Sequence, residues 1–270
     1  MGSLAAYHLD RPASPVRSVP AGTILAAMSH SGLVEERAPI ASCSLHEALP
    51  PPPRIEVEVL REVRRENTTF LTLRELSLRN RYPDGTESTP YLYSLTERVL
   101  LDAVALVLFR RRAEHVEIVL RSQLRPPLAF RSDYDVPLLA LGTGAVQWEI
   151  PAGLVELGER GEAGLSGRAA AEALEEVGVR LAPARFKTLG PATSLSPGLI
   201  AEKLHYVCAE ILDDDVWQPA AGDGHAVEEH STSLFVPLPV ALRALDEGTI
   251  HDVKTELGIA RLVRHLQAQP

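Results

Sequence analysis

The sequence predicts an α+β chain, on three observations. Apolar and polar residues alternate across residues 54–93, two apolar runs rich in β-branched side chains follow at 99–109 and 116–120, and helical spacing closes the chain over 239–266. A side-chain period of two marks strands and a period near 3.6 marks helices, so blocks of both describe sheets with helices packed against them.

Composition sets the outer limits. The chain has 270 residues, 45% of them hydrophobic, enough for one large domain or a domain with a smaller companion. A net charge of -9 leaves no basic excess to displace counterions, which excludes a general binder of nucleic-acid backbones. Cys43 and Cys208 are the only cysteines and form no C-x-x-C pair, so neither a disulfide framework nor a zinc knuckle is expected. No apolar run reaches the roughly 18 residues of a membrane span, and no secretory signal opens the chain. A chain of the reducing cytoplasm is expected, with no nucleic-acid or membrane partner.

Residues 1–53 carry prolines at 12, 15, 20, 39 and 50–53 with no sustained period, and are expected to form a flexible arm ending in a stiff spacer. The piece from Thr23 to Met28 is the one candidate helix within it. Residues 54–98 follow as a small antiparallel β subdomain: Ile55, Val57 and Val59 point one way, residues 70–78 alternate likewise, Pro83-Asp84-Gly85 turns the chain, and residues 90–93 return. Residues 99–270 make the third and largest part. Its first two strands are the apolar runs, with Arg110-Arg111-Arg112 as a solvated hairpin end between them.

The chemistry gathers in residues 149–179. A strand end and tight turn, Ile150-Pro151-Ala152-Gly153, lead to a short helix carrying Glu172, Glu175 and Glu176 and stopping at Gly178. Side chains three and four apart share a helix face, so these carboxylates are expected to crowd together, where a divalent cation relieves their repulsion. By itself an Ala/Glu-rich helix is equally read as a solvated acidic face.

The surroundings decide between the two. Gly153, five residues, Glu159, and then Glu172-Ala173-Leu174-Glu175-Glu176-Val177-Gly178-Val179 resemble the signature of the Nudix hydrolases. The chain departs from that signature between its halves. Eleven residues rather than seven separate Glu159 from position 171, and Ala171 stands where the family has arginine. In the family that arginine braces the first glutamate; Arg168, within a helical turn of Glu172, is the expected substitute, reaching back to Glu159.

The resemblance covers residues 54–266 and implies an α/β/α sandwich, with a mixed sheet between helices. It implies Ala152, through its carbonyl, Glu172, Glu175 and Glu176 as ligands of Mg2+ or Mn2+, with Glu159 supporting the loop or a second ion. Arg121-Ser122-Gln123-Leu124-Arg125-Pro126 is similar to the Gln-x-Arg-Pro element of the branch that cleaves ADP-ribose and nucleoside diphosphate sugars, which makes Arg125 a phosphate contact. Ser196-Pro197-Gly198 with Glu202 looks like that branch's substrate loop. Alignment on Phe235-Val236-Pro237-Leu238 makes Glu229 the residue that orients or deprotonates the attacking water, with Glu228 as alternative and His230 as bystander. The expected activity is metal-dependent hydrolysis of ADP-ribose or a related nucleoside diphosphate sugar to a nucleoside monophosphate and a sugar phosphate, by a homodimer joined through the N-terminal sheet. Two alternatives stand beside it: a UDP- or GDP-sugar pyrophosphatase, and a catalytically silent nucleotide-binding regulator.

Overall fold

The computed structural model describes residues 52–135, 144–220, 226–227 and 230–268; the expected arm lies outside them, as do Glu228 and Glu229. Residues Ile55–Pro270 cluster as one unit. No helix of the described residues is long and apolar enough to cross a membrane.

The alternating N-terminal stretch forms a three-stranded antiparallel sheet of β1 (Glu56–Asn67), β2 (Thr72–Arg81) and β3 (Tyr91–Glu97), with β2 in the centre. Opposite charges meet across its strands, as where Arg74 Nε donates to Glu62 at 2.6 Å. Such exposed pairs contribute only a few tenths of a kcal/mol each. Burial falls on the central strand: Leu76 and Leu78 are buried, while Val57 and Val59 on the edge strand remain 56% and 54% exposed. Two register shifts, Val59/Arg61 and Glu62/Arg64, interrupt the β1–β2 ladder.

The second sheet has seven strands: β4 (Ala103–Arg111), β5 (Val116–Leu124), β6 (Val146–Glu149), β7 (Ala152–Leu154), β9 (Lys187–Thr188), β10 (Leu204–Glu210) and β12 (Ser233–Pro237). Its order is β12-β5-β4-β10-β9, with β6 beside β5 and β7 beside β4. Only the β4–β10 pair is parallel, so the sheet is mixed. β8 (Val179–Arg180) and β11 (Val216–Trp217) make a separate two-stranded ribbon. The apolar run at 99–109 becomes strand only from Ala103, because Asp102 turns its carboxylate to cap Lys203 N–H at 3.0 Å.

Both faces of this sheet are covered, which is why β4 is apolar at every position from Ala103 to Phe109 rather than at alternate ones. Ala103, Ala105, Val107 and Phe109 pack with residues of helices α2 (Leu238–Asp246) and α3 (Val253–Gln267), including Ala241, Ile259 and Leu262. Val104, Leu106 and Leu108 face the other way, onto Ala169 and Ala173 of the helix α1 (Gly161–Glu172) and its continuation. The layering is that of a mixed sheet between helices.

The buried residues of α3 are Lys254, Thr255, Gly258, Ile259 and Leu262, with Leu257 and Leu266 partly buried against the same core. The helix starts earlier than its apolar pattern suggests, because Asp252 Oδ2 accepts the Thr255 N–H at 2.9 Å and caps it there. Gly258 then lets it approach the sheet closely: a Cβ at that position would stand 2.6 Å from Ile150 Cδ1.

Candidate functional site

The turn between β6 and β7 places Ala152 and Gly153 against the end of α1. After Glu172 the helix does not keep α geometry: Ala173–Val177 is wound as a π turn and stops at Gly178, whose φ of +83° suits glycine. The wider turn changes which carboxylates face the sheet. Glu172 and Glu176 are both buried, at 8% and 7% exposure, whereas Glu175 is only half-buried. Of the three expected ligands, Glu172 and Glu176 are thus the buried ones and Glu175 the more exposed. Among the described residues no group of three or more His, Cys, Asp or Glu side chains is arranged to hold a metal ion.

Each buried carboxylate instead has a guanidinium partner. Arg121 Nη1 donates to Glu176 Oε1 and, at 2.8 Å, to Gln123 Oε1, while Glu176 Oε2 accepts the backbone N–H of Ala152 at 3.0 Å. Glu172 Oε1 lies 3.7 Å from Arg168 Nη1 and presses against Gly153, where an added Cβ would come within 1.6 Å of it. Arg168 Nε also reaches both oxygens of Glu159, at 3.1 and 3.2 Å. Burial works against charge on Arg168, yet the hydrogen bonds to Glu159 together with the charges of Glu159, Glu156 and Glu172 outweigh it and raise its pKa.

The donors suit a hard divalent cation. Buried carboxylates need positive charge nearby, and two of them one helical turn apart beside a glycine backbone offer oxygen ligands of the kind magnesium takes. Glu172 and Glu176 are the buried carboxylates that would hold it, with Glu175, Glu159 and the Ala152 carbonyl as the further expected ligands. Arg121 and Arg168 supply the positive charge in the arrangement described.

A cavity of about 790 Å³ opens beside this corner, lined by Arg121, Arg125, Glu149, Glu176, Glu202 and Lys254 among others. Arg125, expected as a phosphate contact, is there with its side chain 44% exposed. Its Nε donates to Glu149 Oε1 at 2.8 Å and its Nη2 to Glu149 Oε2 at 2.6 Å. Burial alone would push the Glu149 pKa up, but the hydrogen bonds from Arg125 and the charge of Lys254 prevail and hold it at about 2. The bond to Glu149 in turn raises the Arg125 pKa.

Glu202 stands on the opposite wall and accepts from Arg98 Nη2. Arg98 also lies over the ring of Phe70, 5.7 Å from its centroid, so the N-terminal sheet reaches this cavity. Its strand β3 fixes the loop before Glu202: Tyr93 Oη donates to Gly198 O at 2.6 Å, and Leu199 O accepts Thr96 N–H at 2.8 Å. His230 is exposed with a φ of +62°. Phe130 and Tyr134, in the segment before β6, are 57% and 68% exposed, while Trp148 packs against the core. A second cavity, of about 630 Å³, lies between Asp102, His205 and Leu165 and has Glu159 on its wall, but none of the other expected site residues.

Sequence reasoning passed over Arg121, Gln123, Glu149 and Lys254. The signal for the first two was present: residues 121, 123 and 125 alternate along one strand end, so they share a face with Arg125. The signal for Glu149 was a carboxylate in a short strand next to a turn rich in apolar residues. Lys254, buried at 6%, bonds Ile150 O and Glu149 Oε2, each at 3.0 Å, contacts that only the packing of α3 on β6 creates.

The sequence matches no family model. It matches no curated protein either. The fold does have solved counterparts, one being the crystal structure of an ADP compounds hydrolase. That structure is 18% identical in sequence and aligns over 80% of this chain and 95% of its own, with a TM-score of 0.54. At that identity the likeness concerns the fold: a mixed sheet between helices, reached from an independent sequence.

Proposed function

We propose that this protein is a Nudix-type hydrolase that cleaves the diphosphate bond of ADP-ribose or a related nucleoside diphosphate sugar, activated by Mg2+ or Mn2+. The observation that supports the reading is a single cavity lined both by a buried carboxylate, Glu176, and by a partly exposed guanidinium, Arg125. A diphosphate needs both: positive charge on its oxygens and a held divalent ion. The fold neighbour's description as an ADP compounds hydrolase agrees with this reading.

In this scheme Arg125 binds one phosphoryl group through its planar guanidinium. Glu202, tied to Arg98, limits the far end of the cavity where the sugar would lie. Glu172 and Glu176, with Glu175, Glu159 and the Ala152 carbonyl, would hold the ion, which would supply charge neutralisation on the phosphate oxygens and lower the pKa of the attacking water. Glu229, with Glu228 as alternative, is the proposed base on that water. Water adds to one phosphorus as the bridging P–O bond breaks, giving a nucleoside monophosphate and a sugar phosphate. The exposed apolar residues of the N-terminal sheet, Val57, Val59 and Leu92 among them, support a homodimer.

A second reading, nucleotide binding without hydrolysis, is favoured by the guanidinium partners that Glu172 and Glu176 already have. One experiment separates the two: incubation with ADP-ribose and with UDP- and GDP-sugars, each metal in turn, assayed for monophosphate release. Hydrolysis that is lost in Glu176→Gln supports the enzyme; tight nucleotide binding without turnover supports the regulator.

A further inference from the structure

Glu149 has no role in the scheme above, yet it is 2% exposed, accepts three hydrogen bonds and is ion-paired with Lys254, so that each oxygen has two partners. Oε1 takes Arg125 Nε at 2.8 Å and Gln147 Nε2 at 2.6 Å; Oε2 takes Arg125 Nη2 at 2.6 Å and Lys254 Nζ at 3.0 Å. Lys254 is itself fixed, by Ile150 O at 3.0 Å and by Asp252 Oδ2 at 3.2 Å, at the capped start of α3. The carboxylate is thus fastened to two elements of the core before Arg125 is counted.

A guanidinium carries five N–H donors on two usable edges. The Nε–Nη2 edge of Arg125 is taken by Glu149. The other edge, one hydrogen each from Nη1 and Nη2, belongs to a side chain that lines the 790 Å³ cavity and is 44% exposed. We propose that Glu149 is a positioning residue: by gripping one edge of Arg125 it aims the opposite edge at two oxygens of a single phosphoryl group of the substrate. This inference rests on the function proposed above and assigns the order Lys254, Glu149, Arg125, phosphate.

Two expectations follow from the geometry. An arginine aimed in advance loses less rotamer freedom on binding, so Glu149 acts on ground-state and transition-state binding together and shows mainly in KM. A lysine at position 125 has no second edge and does not replace the arginine.

The test is a double-mutant cycle on the full chain with Glu149→Gln, Arg125→Ala and the pair, each checked for an intact thermal transition. Metal-activated ADP-ribose hydrolysis and binding of inorganic pyrophosphate by calorimetry are both measured. Glu149→Gln is expected to raise KM about tenfold, with a smaller change in kcat, and to have no further effect once Arg125 is alanine. A Glu149→Gln effect that persists undiminished without Arg125, or that falls mainly on kcat, overturns the positioning role. Pyrophosphate binding that shows the same non-additivity in a protein that hydrolyses nothing keeps the positioning role and rejects the activity. A parent protein that neither binds nor hydrolyses rejects both. If Glu149→Gln fails to fold, Glu149→Asp, which keeps the charge but withdraws it by one methylene, carries the same cycle.

Discussion

Arg168 lies across Glu159, its Nε 3.1 Å from one carboxylate oxygen and 3.2 Å from the other. Its Nη2 also reaches Glu156 Oε1 at 2.6 Å. With 13% of its side chain exposed, and Glu172 within 3.7 Å, this one guanidinium joins the loop after β7 to the third turn of α1. Ala171 leaves a gap in the arginine position that the Nudix-like signature expects, and the four extra residues between the halves bring Arg168 to the same carboxylate from one turn earlier.

Arg168→Ala is therefore expected to loosen Glu159 and to leave Glu172 without its cation. Supports behind a metal ligand are worth about 10–100-fold in affinity. Titration with Mn2+, followed by calorimetry or by the electron-spin signal of the free ion, checks this without relying on turnover. An affinity equal to the parent's would mean that the arginine is only a surface brace.

Gly153→Ala separates site geometry from stability. The three atoms nearest the new Cβ all belong to the Glu172 side chain, at 1.6 Å for Oε1, 1.9 Å for Cδ and 2.7 Å for Cγ. That group is the end of a flexible side chain, so the protein accommodates the methyl by expelling the carboxylate. The thermal midpoint should change little, while kcat/KM falls by about a hundredfold, the usual consequence of a ligand misplaced by an ångström or more. Unaltered kcat/KM would show that Glu172 need not lie against Gly153.

Acid should act on the Glu149 cluster early. The folded pKa of about 2 lies below the ordinary glutamate value of 4.5, because the bonds from Arg125 and the charge of Lys254, with further help from Gln147, overcome the opposing effect of burial. A depressed carboxylate pKa stabilises the folded state fully above the unfolded value, and that stability is lost as pH falls through the window from about 4.5 to about 2. The shift corresponds to roughly 3 kcal/mol. Urea unfolding of the parent and of Glu149→Gln between pH 6 and pH 2.5 should converge as pH drops, since the parent loses a contribution the variant never had. Parallel curves would exclude Glu149 as the titrating group.

How far the sequence revealed all this varied with the range of the interaction. Strand alternation over 54–98, the apolar runs of β4 and β5 and the Gly153-to-Gly178 signature depend on neighbours in the chain, and they mark the elements correctly. The face of the box helix did not follow from spacing, because α periodicity gives no warning of a π turn at Ala173–Val177 that buries Glu176 and leaves Glu175 half-exposed. Nor did the Arg121–Glu176 pair, whose members are 55 residues apart and meet only once the π turn at Ala173–Val177 lies against β5. The Lys254–Glu149 contact spans more of the chain still and depends on Asp252 starting α3 where it does.

Gly178 gives the opposite outcome to Gly153. It ends the π turn with a φ of +83°, donates its N–H to Leu174 O at 3.1 Å and accepts from Gln218 N at 2.8 Å. A Cβ there would stand 2.1 Å from the backbone oxygen of Gln218, an atom that cannot swing aside. Gly178→Ala adds left-handed backbone strain of about 1–2 kcal/mol to the cost of moving the ribbon that holds Gln218. We expect a loss of at least about 2 kcal/mol in urea unfolding, in the range of backbone-strain substitutions. Activity per folded molecule should fall as well, since the turn that seats Glu176 is anchored at this residue. A Gly178→Ala protein as stable as the parent would mean that the helix end and the β8–β11 ribbon are not held together as the Gln218 contact requires.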